Sequence, residues 1–332
     1  MSNLGGRQHL AAALAVVALT SASTHAAAGI PSAPAAAEHP AEVAIADTHR
    51  IAFVSKVNGR AYQIDIALPQ VPPPSGGYPV IYVLDGNWYF ASMTEAVRRN
   101  APKAIVVGVG YPLQNPIWAP RILSTFKNLS ADYNQEAWAI NFARLYDLSV
   151  PADDAELKKQ GYALSKDQPY TREDIGGVDD FLKTIEVEVK PRVYALADAT
   201  HLQVNRGDQT LFGHSLGGLA AVEALFTEPQ AFRTFVAASP SINWVDRKVL
   251  QKADAFEAQV KSGKITPRIL FTVGANEPGQ MVGDACELAG RLKAVRGAAG
   301  YEVADCAVFA GQEHGLAPWP AIGRAVSFAF PE

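Results

Sequence analysis

Leu211-Phe212-Gly213-His214-Ser215-Leu216-Gly217-Gly218 sits between an apolar, strand-like run (Thr210-Leu211-Phe212) and an Ala/Leu-rich stretch from Leu219 to Phe226. A serine at such a strand-to-helix junction occupies a tight, strained turn. The glycines two residues to either side leave room for the neighbouring strand and the helix start. In that turn the hydroxyl stands clear of the sheet, and backbone N–H groups at the helix N-terminus face whatever the serine attacks. Gly-x-Ser-x-Gly alone recurs by chance. Flanked by strand and helix, it points to Ser215 as a nucleophile rather than an ordinary serine in a glycine-rich turn.

A serine nucleophile needs a base, and the chain holds seven histidines. His9, His25, His39 and His49 lie in or near the N-terminal tail, too early in the chain. His201 reads as a surface helix end before an Asn205-Arg206-Gly207-Asp208 turn. His214, inside the elbow, is expected to point away from Ser215 into sheet-side packing. His314 remains, on a loop after the strand Tyr301–Phe309. α/β-Hydrolases place their histidine after the last strand, in the chain order serine, acid, histidine, so His314 is expected as the general base.

The acid should follow the strand Pro267–Gly274, which places Glu277 at its C-terminal end. Its role would be to hold the imidazole tautomer and stabilise the imidazolium. Asp284, Asp246 and a serine–histidine dyad are alternatives, and Glu277 could instead cap the helix beginning near Pro278. For the oxyanion, one N–H donor is expected from Leu216. The other is expected after the strand Tyr78–Leu84, where Gly86 permits unusual dihedrals that turn its own amide, or that of Asn87, toward substrate.

Together these segments resemble a known family. Tyr82-Val83-Leu84-Asp85-Gly86, Gly213–Gly218, Ser239-Pro240-Ser241-Ile242-Asn243-Trp244 and Glu313-His314-Gly315 are similar to the esterase branch of the α/β-hydrolases that includes siderophore esterases, which hydrolyse enterobactin-type trilactones. Arg144-Leu145-Tyr146-Asp147-Leu148-Ser149 resembles the Arg-x-x-Asp-Leu-Thr segment of that branch, and Gly176–Leu182 its Gly-Gly-plus-helix segment. The likeness runs from about Tyr62 to the C-terminus. Two departures concern pocket lining: an insertion from Pro112 to Ala143, in the position of a lid or substrate wall, and Asn243-Trp244 where the family commonly has two tryptophans.

The remainder of the chain fits one enzyme domain behind an export signal. Met1 to about Ala28 has Arg7, the apolar run Leu10–Leu19 and small residues suited to cleavage; an uncleaved anchor is the alternative. Residues 29–46 read as a flexible Ala/Pro-rich leader, and 47–332 as an α/β-hydrolase domain with a mostly parallel sheet and helices on both faces. Ile51–Val54 and Tyr62–Leu68 form an expected antiparallel pair around Asn58-Gly59. Later apolar strands begin near Val80, Ala104, Thr210, Phe235, Ile269 and Val303. Val178, Phe181, Leu182, Ile185 and Val189 follow helical spacing on one core-facing stripe.

Cys286 and Cys306 are a candidate disulfide in an exported chain, with buried thiols as the alternative. No Cys/His spacing suggests a metal, no loop cradles phosphate, and no basic stripe suits nucleic acid, so no cofactor is expected. After signal cleavage no segment is long enough to span a membrane. Net charge is −4, so attraction of an anionic ferric siderophore would have to be local. Arg98, Arg99, Arg121, Lys127 and Arg144 are the cations on segments expected near the pocket, with an Arg144–Asp147 salt bridge as the structural alternative for Arg144. Trp88 and Trp244 are further expected pocket residues. The resulting expectation is a periplasmic or secreted serine esterase acting on a small-molecule ester, with a siderophore as the implied substrate. A general carboxylesterase and an inactive siderophore-binding protein are the alternatives.

Overall fold

The computed structural model describes residues 44–101, 103–112, 135–159 and 174–331. The signal, nearly all of the leader, Arg121 and Lys127 lie outside the described residues, as does most of the 112–143 insertion. Residues Ile45–Glu332 form one compact unit.

Chain order is β1 (Thr48–Val54), β2 (Ala61–Ala67), β3 (Tyr78–Leu84), α1 (Gly86–Asn100), β4 (Ile105–Gly110), α2 (Gln135–Leu148) and α3 (Asp154–Lys159). Next come α4 (Val178–Thr184), a π turn (Ile185–Val189), α5 (Lys190–Ala199), β5 (Val204–His214), α6 (Leu216–Thr227), β6 (Thr234–Ala238), a short 3-10 helix (Lys248–Lys252) and α7 (Ala253–Lys261). The chain ends with β7 (Arg268–Gly274), α8 (Gly279–Lys293), β8 (Glu302–Val303), β9 (Ala307–Phe309) and α9 (Pro318–Ala329).

The nine-stranded sheet runs β1-β2-β4-β3-β5-β6-β7-β8, with β9 also on β7. The β1–β2 and β2–β4 pairs are antiparallel and all others parallel. Its strands β4 and β6 are buried at every position because both faces are covered, and strict alternation divides the side chains of the central strands. Val80, Tyr82 and Leu84 of β3, with Phe235 and Ala237 of β6, enter the core under α2 and α4 to α8. Ile81, Val83, Val236 and Ala238 enter a second core under α1 and α9. Such runs are the mark of parallel strands buried on both sides. The α/β-hydrolase architecture expected from sequence is therefore the one observed.

Three local features differ from expectation. The Asn205–Asp208 turn is instead an irregular start to β5, where the pairing with β3 shifts register between Tyr78–Val204 and Val80–Gln209. The helical stripe Val178–Val189 is buried as expected, but the helix widens to a π turn at Ile185–Val189. Pro191 stands two residues beyond it, as the second residue of α5; it has no N–H to give an α-helical ladder, and the wider turn accommodates that loss. The final strand is broken at Ala304–Cys306, between β8 and β9.

Cys306 in that break is disulfide-bonded to Cys286 on α8, with Cα atoms 5.2 Å apart. The bond ties the helix after β7 to the strand that leads to His314. Replacing both cysteines by serine is expected to lower stability by about 3 kcal/mol, the entropy of a closed loop of this length. Denaturant unfolding of both proteins without reductant checks it; coincident curves would contradict it.

Candidate active site

β5 ends at His214 and α6 begins at Leu216, so Ser215 alone makes the bend. Its backbone, φ 62° and ψ −120°, is one that residues with side chains rarely hold, at a cost of about 1–3 kcal/mol. The turn is fastened on both sides. Ser215 N–H donates to the Ala238 carbonyl (3.0 Å), and the Ser215 carbonyl accepts from Ser241 N–H (3.1 Å) and Leu219 N–H (2.9 Å). A Cβ on Gly213 would lie 2.0 Å from the Gly217 carbonyl oxygen, which is why this elbow requires its glycine.

His314 lies on the loop between β9 and α9, and the structure brings it to Ser215: Nε2 is 2.9 Å from Ser215 Oγ. Its Nδ1 is 2.7 Å from Glu277 Oε2. Glu277 is buried, and its other oxygen accepts from Ser239 Oγ (2.6 Å) and Gly274 N–H (2.7 Å). Burial alone would raise the pKa of this carboxyl. Hydrogen bonds from His314, Ser239 and Gly274 outweigh it and hold the pKa below the usual carboxylate range. A charged Glu277 keeps the proton on Nδ1 and leaves the Nε2 lone pair facing the serine. The alternative acids lie elsewhere: Asp284 pairs with Arg247 (2.7 Å), and Asp246 with Lys159 (2.6 Å).

Val83 of β3 faces Phe212 of β5 in register, so Gly86 and Ser215 emerge side by side at the same end of the sheet. Gly86 opens α1 and Leu216 opens α6. N–H groups of a first helical turn have no acceptor in their own helix, so both residues offer backbone donors at this end of the sheet. The expected dihedral role of Gly86 is corrected, because the positive φ belongs to Asp85 (54°). Gly86 is required for close approach: a Cβ there would lie 2.6 Å from the Gly108 carbonyl carbon of β4. Asn87 fixes the same loop through its side chain, which donates to the Tyr111 carbonyl and accepts from Tyr111 N–H, both at 2.8 Å.

Arg144 is neither a free substrate cation nor the partner of Asp147. It is buried, with Nε and one terminal nitrogen 2.7 and 2.8 Å from the two oxygens of Asp85. Asp147 instead takes Arg60 (3.2 Å) and the Tyr62 hydroxyl (3.0 Å). A buried guanidinium is held best by a bidentate carboxylate, and Asp85 offers one. The Arg144 guanidinium also lies 5.2 Å over the ring of Trp88, which is half-buried beside the loop. Trp244 is corrected as well. It is a core side chain whose indole N–H donates to the Val150 carbonyl (3.2 Å). Arg98 and Arg99 lie in the last turn of α1, at the opposite end from Gly86.

His214 does not point away from the site. Its ring packs on that of His314, and its Nδ1 is 3.1 Å from the Tyr89 hydroxyl. Burial first, then the neighbouring His314 and Arg144, pulls its pKa down to about 3. Sequence reasoning also missed Ser239 and Asp85. Both stood in quoted motifs, immediately beyond the C-terminal ends of β6 and β3, where polar residues face the site.

Residues 148–319 match the family described as "Putative esterase". The chain belongs to that family. Among curated proteins it is 34% identical over 288 residues to the ferri-bacillibactin esterase BesA of Bacillus subtilis, covering 83% of this chain and 86% of that one. It is 31% identical over 236 residues to the siderophore triacetylfusarinine C esterase of Aspergillus fumigatus, covering 68% and 67%. Among solved structures, the BES protein from Bacillus cereus superposes with a TM-score of 0.68 at 30% identity, covering 88% of this chain and 97% of that one. The esterase is accordingly an α/β-fold ester hydrolase.

Arg144→Lys in this esterase keeps the charge but loses the fork that grips both Asp85 oxygens. We expect kcat to fall by about tenfold with KM little changed, because the loop bearing Gly86 is loosened rather than the substrate released. Steady-state kinetics on p-nitrophenyl butyrate would show it. A second expectation concerns pH. An unfolded imidazole titrates near about 6.5, so the unfolded chain binds the proton that folded His214 refuses until about 3. The stability contributed by keeping that ring neutral is complete above about pH 6.5 and is lost as pH falls toward about 3. Burial pushes Asp147 up to about 6, which acts in the opposite sense, so the informative quantity is a difference between proteins. His214→Phe should lose less stability than wild type on acidification from pH 7 to 4, measured by denaturant midpoints.

Proposed function

We propose that the protein is an exported serine esterase that cleaves ester bonds of a siderophore through an acyl-enzyme on Ser215. The observation that carries this reading is the unbroken hydrogen-bonded chain from Ser215 through His314 to Glu277. The substrate class is supported by relatives named for esters of bacillibactin and triacetylfusarinine C. Export to the periplasm or medium is supported by Arg7 and the apolar run Leu10–Leu19 ahead of small residues.

In this reading Ser215 Oγ attacks the ester carbonyl carbon as His314 Nε2 takes its proton. Glu277 stabilises the imidazolium, and the Leu216 and Gly86 amides hold the developing oxyanion. His314 then returns the proton to the leaving alcohol. It next draws a proton from water, which attacks the acyl carbon; as the acyl C–O bond to Ser215 breaks and the acid leaves, that proton passes from Nε2 to Ser215 Oγ. Ester cleavage opens the scaffold that holds the chelating groups together, and iron affinity falls with the loss of that effective concentration.

Ser215→Ala should reduce kcat by at least about a thousandfold while leaving the thermal midpoint essentially unchanged. Hydrolysis of a ferric catecholate trilactone and of p-nitrophenyl butyrate, measured side by side, tests the substrate. We expect kcat/KM to favour the trilactone by at least about tenfold. The reverse preference would identify a general carboxylesterase. Tight binding with neither turnover nor fluorophosphonate labelling would identify an inactive binding protein.

A further inference from the structure

His214 has no place in the proton path from Ser215 to Glu277, yet its ring packs directly on that path. The His214 and His314 centroids are 4.7 Å apart, with planes inclined by 37°. His214 is only 4% exposed, and its orientation is fixed from behind by the Tyr89 hydroxyl at Nδ1 and by the Tyr89 ring, edge-on at 5.8 Å. Tyr89 is itself wedged edge-on against Phe212, Trp88 and Trp319, at 6.5, 6.3 and 6.2 Å. Burial, then the nearby Asp85, raises the Tyr89 pKa, so its hydroxyl keeps its proton and shares a hydrogen bond with Nδ1.

The charged and titratable groups that face His214 come from four directions. Tyr89 lies on α1, Arg144 on α2, Glu277 on the loop after β7 and His314 on the loop after β9. Of these side chains only Glu277 favours a proton on His214. The ring is thus kept neutral at the moment His314 becomes cationic. A second cationic imidazole at this distance would oppose that step. A neutral aromatic ring presents a π surface to the new charge and excludes water from one face of the base. It also limits how far the His314 ring can swing from Ser215.

We propose that His214 is a positioning residue: a neutral ring locked by Tyr89 that seats the His314 imidazole against Ser215 and supports the charge it takes up during acylation. The inference rests on the reading of Ser215 and His314 as nucleophile and base.

Two substitutions separate ring from bulk. His214→Leu fills the volume without a π surface, and His214→Phe restores the ring. For p-nitrophenyl butyrate, His214→Leu is expected to lower kcat about tenfold, since small displacements of a reacting group cost about that much or more. KM should stay within about twofold, and the rate of fluorophosphonate labelling should fall in parallel with kcat. His214→Phe should recover kcat to within about threefold of wild type. Equal activity of the two variants, or a loss confined to KM, would overturn the proposal. Tyr89→Phe keeps every ring and removes only the lock. A drop in kcat of about threefold or more at constant KM is expected, and unchanged kcat would count against the lock even if His214→Leu failed to fold. Failure of the parent reading looks different: wild-type protein would neither label nor turn over.

Discussion

The carboxylate of Glu277 is where three separate stretches of chain are tied into one site. It is buried, and it accepts from Gly274 on its own strand end, from Ser239 beyond β6 and from His314 beyond β9. A buried carboxylate left unpaired would cost several kcal/mol, so each donor is held in place by the penalty of leaving it. The same acceptor therefore does two things. It fixes the imidazole of His314 in the tautomer a base needs, and it locks Ser239-Pro240-Ser241 between the acid loop and the elbow. Ser241 N–H then closes the circuit by donating to the Ser215 carbonyl.

This circuit explains how Ser215 tolerates its backbone. The bend is unfavourable in isolation and persists because neighbours on both sides over-determine it. Parallel strands deliver those neighbours to one edge: β3, β5, β6 and β7 all end there, bringing Gly86, Ser215, Ser239 and Glu277 together. The two cores, split by alternation along each strand, hold the strand ends rigid beneath the site.

The fold and the meeting of Ser215, His314 and Glu277 are legible because they follow from local rules. Apolar runs of strand length, helical spacing and glycines around a serine each have a direct physical reading. What escaped is of another kind. By sequence Arg144 is a cation near the pocket, and nothing in its own neighbourhood reveals a carboxylate brought from Asp85, fifty-nine residues away. Trp244 looked like pocket lining because aromatic residues after a motif invite that reading; its burial depends on the chain packed above it. His214 was expected to turn from the serine. A strand's alternation sets which side of the sheet a residue leaves from, but not that a loop nearly a hundred residues later returns to lie on its ring. The break at Ala304–Cys306 is likewise hidden, since Tyr301–Phe309 has strand length with no Gly or Pro inside it, and only the pairing with β7 reveals the interruption.

The site thus contains two buried carboxylates with opposite neighbours. Glu277 is surrounded by neutral donors and one imidazole, so its charge remains available to stabilise a proton arriving on His314. Asp85 is matched by a full guanidinium, and its charge is answered before any substrate arrives. Such a matched pair, desolvated on both sides, contributes little net attraction to a distant anion and much resistance to displacement. That suits a loop held in one position beside Ser215. It also means that Arg144, tied to the residue before Gly86 by its ion pair with Asp85, works through geometry rather than through its field.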